Sequence, residues 1–226
     1  MMLKFFATVP CGIEDIATEE VHEIIGCRAK PDVGRIFFEA SLESIILLNL
    51  KASTLNKIMI QICHGVFSEL KDIYRMVKDV DYGWIIDADQ PFAVRSERVG
   101  VHDFTSMDVS RIVGQAIIDS YREAYGRRLP VNLDEPEVEF YALVRDQEFL
   151  LGVNTTGNSL HRRGYRAYMH PAALKPTLAS AMLRLSGWKP GRGILDPMCG
   201  GGTIPIEAAF KAANIPPGHL RSDFAF

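Results

Sequence analysis

The chain has 226 residues, 47% hydrophobic and 23% charged, a globular mixture that excludes a disordered tail or a low-complexity fibre. At roughly 150 residues per domain, one or two domains with real cores are expected. Its 25 Lys and Arg against 28 Asp and Glu give a net charge of −3, which excludes a uniformly basic nucleic-acid binder but leaves room for a local basic surface. Cys11, Cys27, Cys63 and Cys199 lie far apart with no C-x-x-C pair, so neither a dense disulfide framework nor a cysteine zinc cage is expected. The six histidines show no H-x-x-H spacing, and no metal site is expected. Apolar runs fall well short of the roughly 18–20 residues of a membrane helix. A soluble, cytoplasmic, monomeric protein is the expectation.

Residues 3–9 are apolar and stop at Pro10, and Ile13, Ile16, Ala17, Val21 and Ile24 recur at helical spacing up to Gly26. The start therefore reads as strand then helix rather than as a secretory leader. Alternation over Arg35–Ala40 predicts a second strand, and Ser41 can cap a helix carrying Leu42, Ile45, Ile46 and Leu50. A third strand over Ile58–Ile62 completes β-α-β-α-β, an α+β unit of ferredoxin-like type over 1–65.

Ser68 opens a helix with Leu70, Ile73 and Val77 on one face, leading into a second module, 66–156. Phe92–Ser96 reads as a strand, followed by a loop at Gly100 and the capping box Thr105-Ser106-Met107-Asp108. Val109, Ile112, Val113, Ala116 and Ile117 stripe the helix that follows, and Gly126 ends it. Two alternating segments about Asp146-Gln147 predict a hairpin.

Charge then shifts. From Phe149 to Leu195 there is no Asp or Glu, against Arg162, Arg163, Arg166, Lys175, Arg184, Lys189 and Arg192. Arginines interleaved with Tyr165 and Tyr168 suit phosphate contact with stacking, so Arg162, Arg163, Arg166 and Lys175 are candidate RNA-binding residues, with Arg95 and Arg98 of the second module. Residues 157–170 read as a basic linker. Pro171–Leu174 and Thr177 open a further helix.

The most informative stretch is Gly193-Ile194-Leu195-Asp196-Pro197-Met198-Cys199-Gly200-Gly201-Gly202-Thr203, before the periodic Ile204, Ile206, Ala208 and Ala209. It reads as strand, glycine loop and helix, where backbone N–H groups can approach a ligand. The absence of a lysine in the loop disfavours a Walker phosphate site, and Pro205 stands where a dinucleotide fingerprint needs its third glycine. Cys199 has no basic partner near it in sequence, so it reads as a small packing residue of the loop rather than a nucleophile.

The remaining D-x-x-x-G-x-G pattern resembles the first motif of S-adenosylmethionine-dependent methyltransferases. Asp196-Pro197-Met198-Cys199-Gly200-Gly201-Gly202-Thr203 with Ile206-Glu207-Ala208-Ala209 is similar to the signature of THUMP-containing RNA guanosine N2-methyltransferases. Leu160-His161-Arg162-Arg163-Gly164-Tyr165-Arg166 and Pro216-Pro217-Gly218…Phe224-Ala225-Phe226 resemble linker and trailing segments of that family in the same order. Archaeal tRNA enzymes look nearest, with bacterial large-subunit rRNA relatives close behind. The resemblance implies a ferredoxin-like N-terminal domain, a THUMP RNA-binding domain and, from 171 to 226, the start of an α/β Rossmann-like methyltransferase domain. It implies S-adenosylmethionine as cofactor, contacted by Asp196, Cys199, Gly200, Gly201, Gly202, Thr203 and Thr177, and structured RNA, foremost tRNA, as partner. The family's catalytic tetrapeptide, an Asp or Asn followed by Pro-Pro and an aromatic, has no match here, so the catalytic residues are unknown and the chain is expected to be a fragment, inactive alone. A non-catalytic RNA-binding module is the alternative.

Overall fold

The computed structural model describes residues 2–166 and 172–226. The chain packs as two compact units, one formed by the N-terminal residues up to Ile58 together with the segment from Thr155 to Phe224, the other by Met59–Asn154. The segment from Thr155 to Phe224 thus packs in one unit with the N-terminal residues.

The first unit begins with β1 (Met2–Thr8), α1 (Glu14–Ile25), β2 (Ala29–Asp32), β3 (Arg35–Ser41) and α2 (Ser44–Lys51), and its boundary falls inside β4 (Lys57–Val66). The order βαββαβ is ferredoxin-like. β3 pairs antiparallel with both β1 and β2, and Phe5 faces Phe38 across the ladder with ring centroids 5.4 Å apart. α1 buries Ile16, Ala17 and Val21. β2 escaped the sequence reading because it contains Pro31, a residue depleted from strands but tolerated at an edge, where its missing N–H costs no ladder bond. The second helix starts at Ser44 with Glu43 at its N-cap, two residues later than the expected Ser41 cap, because Ser41 still pairs with Met2 in the sheet.

In the second unit the sheet order is β4-β7-β6-β5. α3 (Leu70–Lys78) carries a Glu69/Asp72 capping box. β5 (Phe92–Val99) runs parallel to β6 (Val138–Arg145), the crossover being α4 (Ser106–Tyr125), and β6 forms a hairpin with β7 (Glu148–Asn154). The Thr105/Asp108 capping box and the left-handed Gly126 stop of α4 are as the sequence predicts. One core fills the unit, with Ile73, Val77, Tyr82, Phe92, Val113, Ile117, Phe140 and Phe149 all inside it. Tyr82 packs edge-on to Phe140 and donates its hydroxyl to the Val77 carbonyl at 2.8 Å, so its polar end is satisfied where water is excluded.

The C-terminal segment adds α5 (Pro176–Leu185) and α6 (Thr203–Ala212) to the first unit. α5 begins at Pro176, which suits a first helical position. Ala172–Lys175 lie before it, and Pro171 is outside the described residues. Gly193–Leu195, expected as a strand, lie outside any strand: a strand exists through hydrogen bonds to a neighbour, and among the described residues none pairs with this segment, leaving Leu195 88% exposed. Among the described residues no helix is long and apolar enough to cross a membrane, and no group of His, Cys, Asp and Glu is placed to hold a metal ion.

Candidate functional site

The glycine loop sits at the N-terminus of α6. Gly200 (φ +52°) and Gly202 (φ +73°) occupy the left-handed region that other residues adopt at a cost. The loop is closed by the Gly202 N–H donating to the Cys199 carbonyl at 2.8 Å, and Ile206 N–H returns to the Gly202 carbonyl at 3.0 Å to start the helix. The N-cap is Gly202, so no side chain caps the first amides of α6. Asp196 accepts the Met198 N–H at 3.2 Å through Oδ1, leaving its other oxygen available. A Cβ placed on Gly200 or Gly201 would meet nothing within 4 Å. The loop thus presents open space, amide donors at the positive end of a helix, and one carboxylate. Such a set, amide donors beside a carboxylate, has the chemistry to hold the amino-acid end of a zwitterionic ligand.

Two of the seven residues expected to contact the cofactor have committed side chains. Thr177 is fully buried, and its hydroxyl lies 3.4 Å from Asn56 Oδ1, so its side chain belongs to the interior of the first unit. Thr203 is buried and receives Nη2 of Arg166 on Oγ1 at 2.8 Å. Cys199 is exposed, with Sγ 3.8 Å from the Gly200 carbonyl.

The basic residues divide in the same way. Arg162 and Lys175 are exposed. Arg163, expected on an RNA-binding surface, is 2% exposed: it donates to the carbonyls of Leu160 at 2.8 Å and Ser53 at 2.6 Å and to both oxygens of Glu207 at 3.3 and 3.4 Å. Such a guanidinium cannot reach phosphate, which corrects the sequence reading. Arg166 is half-buried, and its Nη2 bridges the Leu174 carbonyl and Thr203; that nitrogen braces the start of α6. In the second unit Arg95 is exposed and lies 3.5 Å from Glu139. Arg98 donates to His102 Nδ1 at 3.0 Å, and His102 Nε2 lies 2.6 Å from the Asp146 carbonyl, a pattern that puts the imidazole proton on Nε2. Tyr165 sends its hydroxyl to Glu207 at 3.0 Å, and burial followed by the Glu207 charge holds its phenol well above the usual range. Tyr168 lies outside the described residues.

Sequence reasoning missed the buried carboxylates behind the loop. Glu207, 3% exposed, gathers Arg163, Tyr165 and Ser180, the last at 2.6 Å. Glu20 accepts the backbone N–H groups of Ser53 and Thr54 at 2.9 and 2.8 Å, with Arg184 beside it at 3.2 Å. A signal for Glu207 existed: it stands between the apolar Ile206 and Ala208 on the inward side of a helix, downstream of a segment rich in arginine. The trailing Pro216-Pro217-Gly218 also acquires a role. Gly218 N–H bonds the Leu50 carbonyl at 2.9 Å, and a Cβ there would lie 2.8 Å from the Asn49 carbonyl oxygen and 2.9 Å from that of Leu50.

A ferredoxin-like fold, a second α/β module and a methyltransferase-type glycine loop in series define a class: RNA-methyltransferase architecture. Family models match in that order, an RlmL ferredoxin-like domain at 4–59, a THUMP domain at 67–154 and an RMKL-like methyltransferase domain at 163–226. The chain belongs to the THUMP-domain RNA methyltransferase family. It is 44% identical to a tRNA (guanine(6)-N2)-methyltransferase of Archaeoglobus fulgidus over all of this chain and 57% of that protein. It is 40% identical to the protein of the same name from Methanocaldococcus jannaschii, over 98% of this chain and 59% of that one. Among solved structures, SMU.472, assigned as a methyltransferase and complexed with SAH, superposes with a TM-score of 0.89 at 28% identity, over the whole of this chain and 59% of that one. The chain therefore spans under three fifths of the length of the curated relatives it matches.

Proposed function

We propose that the chain is the RNA-binding and cofactor-entry portion of a tRNA guanine-N2 methyltransferase, with 1–65, 66–156, 157–170 and 171–226 as ferredoxin-like domain, THUMP domain, linker and opening of the methyltransferase domain. The observation that carries this is the open glycine loop at 200–202 with Asp196 beside it, in a chain that also holds a THUMP domain. S-adenosylmethionine, when bound, supplies a methyl group already activated on a sulfonium. The loop amides and Asp196 orient the amino-acid end of that molecule, while Arg166 fixes the first residue of α6 through Thr203. Exposed Arg162, Lys175 and Arg95, with Arg98, contact RNA phosphates, so affinity falls steeply with salt. Arg163, spent on Glu207, and the side chain of Thr177, turned to Asn56, hold the fold and touch neither RNA nor cofactor in this reading. Metal plays no part in this reading, and the protein works as a cytoplasmic monomer.

The test is methyl transfer to tRNA transcripts by a protein as long as the curated relatives, followed by nucleoside analysis. N2-methylguanosine is expected. Methylation of another base, or of ribosomal RNA in preference to tRNA, overturns the assignment. RNA binding without any methyl transfer would establish the non-catalytic module instead.

A further inference from the structure

The first unit contains a pocket of about 280 Å³ that neither the glycine loop nor the linker explains. Its lining comes from Glu20 in the middle of α1, from the end of α2 and Ser53 beyond it, from α5 and α6, and from the loop 214–217. At this size it falls just below the roughly 300–1,000 Å³ of small-molecule sites, room for one small group and not for a helix of RNA. Its polar lining divides sharply. Glu20 and Glu207 are buried and saturated by the donors described above, and Ser53 and Ser180 are spent on them. Arg184 is held by Glu20 and Glu23, at 3.2 and 2.8 Å. Among the described residues, three polar side chains of the lining, all exposed at its mouth, have no hydrogen bond or close ion pair: Lys51, Lys211 and Asn214. Two are ammonium groups, which can only donate, and the third brings an amide with two N–H donors. Arg163 and Arg184 face three carboxylates, Glu207, Glu20 and Glu23, and with Lys51 and Lys211 added the positive side is in excess by one charge. Lys211 is also driven towards its neutral form, by burial and then by the neighbouring Arg184, against a smaller opposing pull from Glu23 and Glu20. A bound anion would relieve that cost.

We propose that this pocket is a phosphate site, in which Lys51, Lys211 and Asn214 hold one phosphate group of the RNA backbone against the apolar wall of Leu183, Phe210 and Pro216. The RNA half of the inference rests on the function proposed above; the phosphate chemistry does not. A mononucleotide or inorganic phosphate offers the same group, and the experiment separates the sources.

The 226-residue chain, isotopically labelled, is titrated with inorganic phosphate at constant ionic strength, alongside a Lys51→Gln/Lys211→Gln variant and a Lys30→Gln control on β2. Phosphate is expected to shift the Asn214 side-chain amide and the backbone amides of 211–215, saturably, in the wild type and the control but not in the double variant. No shift at these positions, or equal shifts in all three proteins, overturns the site. Salt-dependent tRNA binding is then measured on the same proteins. Loss of one backbone contact lowers the slope of log K against log salt by about 0.7–0.9. A drop of that size in the double variant alone supports RNA as the source; an unchanged slope with intact phosphate shifts overturns it in favour of a free phosphate compound. If the chain binds no tRNA at all, the RNA reading fails, and the phosphate titration still decides the pocket.

Discussion

Two glycine segments of the same unit serve opposite ends. Beside Gly200 and Gly201 lies open space, whereas beside Gly218 lie the backbone carbonyls of Asn49 and Leu50. The first segment lacks side chains so that something outside the fold can approach; the second lacks one so that the chain can approach itself. Adjacent arginines repeat the contrast: Arg162 is exposed, and Arg163 is locked to Glu207. Sequence motifs of similar appearance thus divide into groups that hold the fold and groups left free for a ligand, and substitution separates the two.

The largest effect is expected at the buried ion pair. Arg163→Ala strands Glu207 in the interior and removes a donor from two carbonyls, costing about 3–5 kcal/mol; urea denaturation should show the transition of the first unit lost or moved far to lower urea, while Arg162→Ala leaves it in place. Next comes Gly218→Ala. Its methyl group would overlap backbone atoms that cannot rotate away, so a loss of about 1–3 kcal/mol is expected in the same transition. An unchanged midpoint would mean that the 216–218 segment does not seat on α2 as described. In the second unit, Thr105→Ala removes the cap of α4 and should cost about 1 kcal/mol, read as a shift confined to the transition of that unit. At the small end, Gly201→Ala should leave stability within about 0.5 kcal/mol, since its methyl group enters empty space and Gly201, unlike Gly200 and Gly202, has no left-handed φ.

Much of this was legible in the sequence where the determinant is local. The α4 capping box, the Gly126 stop and the β6–β7 hairpin are written in residues a few positions apart. So is the glycine loop, whose turn needs left-handed angles at Gly200 and Gly202. What escaped depends on partners far away in the chain. The inward direction of Arg163 requires Glu207, 44 residues on, and the seat of Gly218 requires α2. β2 was hidden by Pro31, because an edge position is a property of the sheet and not of the tetrapeptide. The missing strand at 193–195 makes the same point in reverse: its apolar pattern is present, and a neighbour to pair with is not among the described residues.

The central claim is that the glycine loop serves a ligand and not the fold. Its most direct test is Gly201→Val in a protein as long as the curated relatives, with urea stability, tRNA filter binding and methyl incorporation measured side by side. The account predicts unchanged stability and tRNA affinity with methyl transfer abolished, because the valine side chain fills the space that the methionine end of the cofactor needs. Normal methyl transfer by the folded variant, or loss of tRNA binding together with methylation, would contradict it.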